Sequence, residues 1–116
     1  QSAEIDIGNE VVYRELVNST KEVLITDRSA TANFVIEAPT LSTKDFFALA
    51  VAGTSGNLSI VHGATAGNII TLTAPTSGLS LGNPTYSEDQ GLVMLNLPTT
   101  MVPSSSGNDE ISIAYT

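Results

Sequence analysis

The chain contains no cysteine and no tryptophan, and it has a single histidine among its 116 residues. The missing cysteines exclude disulfide bonds and thiolate chemistry, and they leave the cellular compartment undetermined. No apolar run approaches the roughly 20 residues that a membrane-spanning helix needs, and no basic segment followed by an apolar one opens the chain. The sequence therefore predicts no membrane partner and no cysteine-based site.

Positive charge is also scarce, and it is confined to the first part of the chain. The net charge is -8 and the pI is near 4.2. Because nonspecific affinity for nucleic acids comes from Lys and Arg, we expect no direct binding of DNA or RNA. Every cation precedes position 45, namely Arg14, Lys21, Arg28 and Lys44.

The residues after Lys44 instead combine aliphatic side chains with Ser, Thr, Asn and Gly. Burying a hydroxyl that finds a partner costs far less than burying an ion, so such a surface suits contact with other protein. These features favour a structural role over a catalytic one.

Short segments of alternating apolar and polar residues, separated by turn residues, are typical of a mostly β domain. We expect one domain over residues 1-116. The predicted strands are Ala3 to Ile7, Val11 to Arg14, Glu22 to Asp27, Asn33 to Glu37, Leu58 to His62, Asn68 to Ala74, Leu92 to Leu97 and Glu110 to Thr116.

One segment departs from this alternation and predicts a short helix from Thr43 to Ala52. Ser42 is placed to cap its first turn, and Gly53 suits the position after its end. We expect one face of this helix to close an end of the β-sandwich. The predicted core consists of Leu58, Ile60, Ile70, Leu72, Val93, Leu95, Leu97, Ile111, Ile113 and Tyr115, with Phe46 and Leu49 from the helix.

No motif in the sequence indicates a catalytic, cofactor or metal site. His62 lies at a strand end and lacks a nucleophile turn of the Gly-x-Ser-x-Gly type. The acidic pairs Glu88-Asp89 and Asp109-Glu110 lack the spacing of a calcium loop, and we interpret them as solvated turn residues. The loops Gly53 to Asn57 and Gly63 to Gly67 do not end in Lys-Ser/Thr, so turn chemistry explains them.

The segment Pro98 to Asn108 is predicted to be a long loop, because its two prolines argue against a tight turn or a central strand. Met101 and Val102 are then expected to lack strand neighbours that would cover them. We predict that this segment contacts a neighbouring domain, with the N-terminal strands as the next choice. The predicted assembly residues are Pro98, Met101, Val102 and Pro103.

Several runs of residues, taken in order, resemble the C-terminal half of tail tube proteins from long-tailed bacteriophages. The resemblance covers essentially the whole chain, although each run by itself is turn chemistry. The runs are Ile5 to Val12, Val23 to Arg28, Ala48 to Gly67, Asn83 to Gly91 and Val102 to Ile111.

This resemblance implies an antiparallel β-sandwich or barrel with one short flanking helix and a long loop or hairpin arm. It also implies a virion protein, assembled in the bacterial host cytoplasm, which self-associates into stacked rings and contacts other tail proteins. DNA would pass through the channel without specific binding, and no cofactor is implied. Ring stoichiometry stays open between three tandem-domain subunits and six single domains. Since the chain starts at Gln1 and matches only a second half, we expect either a piece of a longer protein or a single-domain relative.

Two other classes of function remain open from the sequence. An immunoglobulin-like decoration or adhesin module would share the strands and the acidity, and it would bind glycan or a cell surface. Its sugar-stacking candidates are Tyr13 and Tyr86. A small β-sandwich hydrolase would need a second base near His62, and the sequence offers none.

Overall fold

The computed structural model describes residues 1-17, 20-75 and 77-116. Antiparallel strands dominate the described residues, and one short helix interrupts them. The elements are β1 Ser2–Asp6, β2 Asn9–Glu15, β3 Lys21–Arg28, β4 Thr31–Glu37, α1 Phe46–Val51, β5 Ser55–Gly56, β6 Ser59–His62, β7 Ile70–Thr73, β8 Leu79–Leu81, β9 Thr85–Asp89, β10 Leu92–Met101 and β11 Ser112–Tyr115.

The strands of the described residues form three sheets. The large sheet has six strands in the order β1-β4-β10-β8-β5, with β9 also paired to β10. A second sheet has the order β11-β7-β6, and β2 pairs with β3 in a separate two-stranded hairpin. The predicted mostly β, antiparallel fold class is confirmed, and the sheets do not close into a barrel.

Strand β10 is longer than predicted, and it corrects the expectation that Pro98 opens a loop. Pro98 lies within β10 and pairs with Asn33 of β4. On its other side, β10 pairs first with β9 up to Asn96 and then with β8 from Thr99. The Pro98 carbonyl points into the gap between these two partners, where it accepts a hydrogen bond from the Gly82 amide at 2.8 Å. The missing N–H of the proline therefore falls where β10 has no ladder partner, which is why a central strand tolerates it.

Most of the described core lies on one face of the large sheet, while Met94, which is 4% exposed and pairs with Glu37, lies on the other. Ala30, Ala32 and Met101 form a buried cluster, and the half-buried Leu58 and Ile111 pack against it. Leu95 and Leu97, both predicted for the core, are 2% and 6% exposed.

The prediction of a core position is wrong for three residues. Val93 is 58% exposed, Ile113 46% and Tyr115 75%. The alternation itself was interpreted correctly, because Ile113 pairs with Leu72, which pairs with Ile60, so the three side chains share one face. On that face Ile60 and Leu72 are half-buried, whereas Ile113 is exposed.

The helix is shorter than predicted. It begins after Asp45, whose carboxylate accepts a hydrogen bond from the Ala48 amide at 2.9 Å, so that Asp45 and not Ser42 is the N-cap. Thr43 belongs to the preceding turn, where its amide donates to the Thr40 carbonyl. The Phe47 ring lies 5.2 Å from the Tyr86 ring, which fixes the helix against β9.

Candidate functional site

The single histidine and one of the acidic pairs lie at exposed strand positions. His62 is exposed at the end of β6. Glu88 and Asp89, expected in a turn, lie in β9 instead. Within residues 1-17, 20-75 and 77-116, no group of three or more His, Cys, Asp or Glu side chains is placed to hold a metal ion.

The two glycine-rich segments have structural roles, one in a short strand and one in a turn. Ser55–Gly56 forms the short strand β5. Gly63, with φ of +101°, begins the connection between β6 and β7, and a Cβ there would lie 2.2 Å from the Asn68 carbonyl oxygen. Only glycine fits this position without a backbone shift. In the part of the chain that the structure describes, no helix is long and apolar enough to cross a membrane.

The hairpin formed by β2 and β3 presents an apolar face to solvent. Val11 pairs with Ile25 and Tyr13 pairs with Val23, so these four side chains lie on the same side of the two strands. Their exposed fractions run from 57% for Tyr13 to 67% for Val23. We call Val11, Tyr13, Val23 and Ile25 the hairpin face.

The base of the hairpin is fixed to the rest of the molecule by charge and by backbone. Arg28, the last residue of β3, donates to the Glu110 carboxylate at 2.6 Å and to the Asn108 side-chain oxygen at 3.2 Å. The Ser29 amide donates to the Gly8 carbonyl. Gly8 has φ of +58°, and a Cβ there would come within 2.3 Å of the Ser29 oxygen, so this junction requires glycine.

The loop that supplies Asn108 and Glu110 is organised by Asp109. Its carboxylate accepts a hydrogen bond from the Ser104 hydroxyl at 2.5 Å and another from the Ser104 amide at 2.8 Å. These bonds, with the hydroxyl as the larger contribution, lower the pKa of Asp109 below its ordinary value of 3.8. Ionised Asp109 thus shapes the loop that holds Arg28.

A second apolar surface lies between the large sheet and the β6-β7-β11 sheet. It is an open cleft of about 590 Å³. Its walls carry no charged side chain among the described residues, and Gln1, Ser2, Thr54 and Thr99 are its polar contributors. The apolar walls include Phe34, Ile36, Phe46, Leu58, Ile60 and Leu81. We call this surface the cleft.

The opposite face of the large sheet is mostly polar and carries acidic side chains, with Val35 and Met94 as its apolar residues. Because Ala3 pairs with Phe34 on the cleft side, the alternating residues Glu4 and Asp6 point to the other side, as does Glu37. The cations Arg14, Lys21, Arg28 and Lys44 all lie outside β1, β4 and β10. We call this surface the acidic sheet face.

The four predicted assembly residues occupy different environments. Met101 is only 3% exposed and pairs with Leu79, so the expectation that it lacks a strand neighbour is wrong. Pro98 is exposed within β10, and Val102 is 45% exposed at the end of that strand. Pro103 lines a depression together with Ile25 and Arg28, which places it beside the hairpin face.

The sequence pointed to the N-terminal strands only as a second choice of interface, and it did not indicate the hairpin face or the cleft. Both strands of the hairpin were predicted, but their pairing and their lack of a covering layer were not. The signal in the sequence was weak, since Val11, Tyr13, Val23 and Ile25 have the same alternation as residues of a buried strand.

Comparison with known proteins gives one kind of match. No protein-family model matches the chain, and no curated protein matches it significantly. Among solved structures, the chain shares its fold with a chain from the tail of an empty GTA particle, computed with helical refinement in C6 symmetry. The TM-score is 0.59 at 14% identity, and the match covers 100% of this chain and 81% of that chain. The resemblance to tail tube proteins is thereby confirmed at the level of the fold.

Proposed function

We propose that this chain is a structural subunit of a phage-like tail, where its copies form stacked rings around a channel for DNA. The observation that carries the proposal is the fold shared, over the whole chain, with a component of a tail of C6 symmetry. In this role the chain is not an enzyme and belongs to the virion.

The uncovered apolar surfaces support an assembled state. The hairpin face and the cleft are both accessible to solvent in the single chain, and large exposed apolar patches mark interaction sites in soluble proteins. Since the matched chain comes from a C6 tail and is similar to this chain over its full length, six copies of this domain per ring fit better than three. The contacts that close the ring would be between identical chains.

Three of the four predicted interface residues are exposed, namely Pro98, Val102 and Pro103. Pro103 borders the same depression as Ile25, so Pro103 extends the hairpin face. Met101 contributes from inside the domain, by holding the end of β10 in the core. Pro98 lies elsewhere, on the acidic sheet face, next to Glu4 and Asp6.

The acidic sheet face is the surface best suited to line the channel. Glu4, Asp6 and Glu37 repel phosphate groups, and Thr31, Asn33 and Thr100 between them are uncharged. A wall that releases no counterions has no nonspecific affinity for DNA. DNA could then pass without being held.

Electron microscopy of the concentrated protein tests the proposal. We expect rings or tubes in negative stain, with six copies in rotational averages, and a concentration-dependent rise of mass in light scattering. A chain that stays monomeric at the highest attainable concentration and instead binds glycan would favour the decoration or adhesin alternative. Trimeric rings would retain the tail role and contradict six single domains.

A further inference from the structure

Two apolar surfaces of the same chain are uncovered and lie apart from each other. In the described residues, β2 and β3 pack extensively with each other and make no comparable contact with another strand. The cleft is lined by residues of β1, β4, α1, β5, β6, β8 and β10, and no residue of the hairpin lines it. The hairpin of one copy therefore leaves its own cleft unfilled.

The hairpin has the physical properties of an element that needs a covering layer for its stability. An isolated two-stranded hairpin is marginally stable in water, and it needs a further layer against its apolar side. Here the hairpin face carries two valines, an isoleucine and a tyrosine, all more than half exposed. Its two strands are 7 and 8 residues long, so the hairpin extends for roughly 23 Å at about 3.3 Å per residue.

The cleft is unfilled and apolar, which matches the exposed apolar side of the hairpin. Protein interiors are close-packed, whereas here Phe34, Ile36 and Ile60 border about 590 Å³ of open space. A charged or strongly polar occupant would leave its groups unpaired against these walls. An uncharged apolar strand face would not.

We propose that the hairpin face of one copy inserts into the cleft of a second copy of this chain. The inference rests on the proposed tail function and names the surfaces through which copies join. Val11, Tyr13, Val23 and Ile25 supply the apolar side chains, and Phe34, Ile36 and Ile60 receive them. The carboxylates of the acidic sheet face stay on the other side of the large sheet.

The symmetry of this contact distinguishes it from a simple dimer. The hairpin face and the cleft are different surfaces, so each copy donates one and offers the other. Such a heterologous contact closes into a ring or continues as a helical stack, whereas an isologous contact stops at two copies. The pairing thus produces the kind of assembly that the proposed function requires.

Cross-linking tests the contact directly, because the chain has no cysteine of its own. Val23→Cys and Ile60→Cys are made in separate full-length proteins and mixed with a short thiol-reactive cross-linker. We expect covalent dimers in the mixture at least tenfold above either protein alone. Val61→Cys is the matched control, since Val61 is 61% exposed but lies on the opposite face of β6, and it should cross-link to Val23→Cys poorly.

A mixing experiment tests the heterologous character. Tyr13→Asp blocks the hairpin face and leaves the cleft intact, while Ile60→Asp does the reverse. Each variant alone should fail to grow beyond a monomer, and an equimolar mixture should stop at a heterodimer, because one functional hairpin and one functional cleft remain. Circular dichroism checks that both variants are folded, and the cysteine pair decides the matter should Ile60→Asp unfold.

The outcomes separate this inference from the proposed function. If the wild-type protein forms rings but Val23→Cys cross-links equally to positions 60 and 61, or Tyr13→Asp assembles normally, the inference is overturned and the tail role stands. If the specific cross-link forms while no rings appear, the docking holds and the proposed function fails.

Discussion

At the residue scale, strand β10 places two leucines in opposite environments. Leu95 is 2% exposed and Leu92 is 54% exposed. Leu95→Ala should lower the free energy of unfolding by about 2-5 kcal/mol, because the lost transfer energy and the cavity add. Leu92→Ala on the same strand should cost under about 1 kcal/mol. Urea denaturation of the monomer measures both changes in the free energy of unfolding, and equal costs would contradict the different burial of Leu95 and Leu92.

The ion pair between Arg28 and Glu110 is the shortest among the described residues. The Glu110 side chain is 9% exposed and that of Arg28 is 26% exposed, so solvent screens the pair only in part. Removing the arginine by Arg28→Ala should destabilise the fold by about 1-3 kcal/mol, because the buried carboxylate is left unpaired.

The matched control for this pair is the double replacement Arg28→Leu with Glu110→Leu. It removes both charges together and should cost less than Arg28→Ala, since no unpaired charge remains. A double-mutant cycle on urea denaturation gives the coupling between the two residues. A coupling of zero would mean that the contact contributes nothing to the anchoring of the hairpin.

Asp109 makes the loop that holds Arg28 sensitive to acid. Its folded pKa is lowered by hydrogen bonds from Ser104, so its contribution to loop stability is complete above the ordinary value of 3.8 and is lost as the pH falls through the folded pKa. We expect the Ser104 and Ser106 amide resonances to shift below the ordinary pKa, in an NMR titration. Ser104→Ala should move the pKa of Asp109 back towards 3.8; no change would exclude the hydroxyl as the main cause.

At the scale of elements, the hairpin and the large sheet should differ in local stability. Strand β4 is paired on both sides, by β1 and by β10, whereas β2 and β3 pair only with each other in the described chain. In hydrogen exchange of the monomer, we expect rapid exchange of the β2 and β3 amides and slow exchange in β4 and β10. Assembled material should show new protection in the hairpin, and unchanged rapid exchange there would argue against its burial.

Most elements were predictable because alternation marks them locally. Strands β2, β3, β4 and β7 lie within a few residues of their predicted positions. Strands β5 and β8 were missed because two or three residues are too few to show a period. Strand β9 was missed because its sequence, Thr-Tyr-Ser-Glu-Asp, has only one apolar residue. The turn after β9 has positive φ angles at Gln90 and Gly91, as a two-residue hairpin loop requires.

At the scale of the whole molecule, the candidate surfaces were less predictable than the fold. Alternation shows which side chains share a face, as for Ile60, Leu72 and Ile113, but not whether another layer covers that face. The covering depends on how sheets distant in sequence are placed. The interface prediction at Met101 was wrong about its exposure for this reason, since Met101 packs with Ala30 and Ala32 in a cluster that Leu58 and Ile111, distant in sequence, help to cover.

The distribution of charge over the molecule predicts how it responds to DNA. The net charge is -8, and Glu4, Asp6 and Glu37 share a sheet face from which Lys and Arg are absent. We expect no saturable binding of duplex DNA at physiological salt, because binding needs cations that release counterions from phosphates. Fluorescence anisotropy with labelled duplex measures this. The triple variant Glu4→Lys, Asp6→Lys, Glu37→Lys is the matched control, and it should acquire affinity that falls steeply with added salt. Micromolar, salt-sensitive binding by the wild-type chain would contradict the expectation. It would also count against the acidic sheet face as the wall of the channel, because attraction to that wall would retard the passage of DNA.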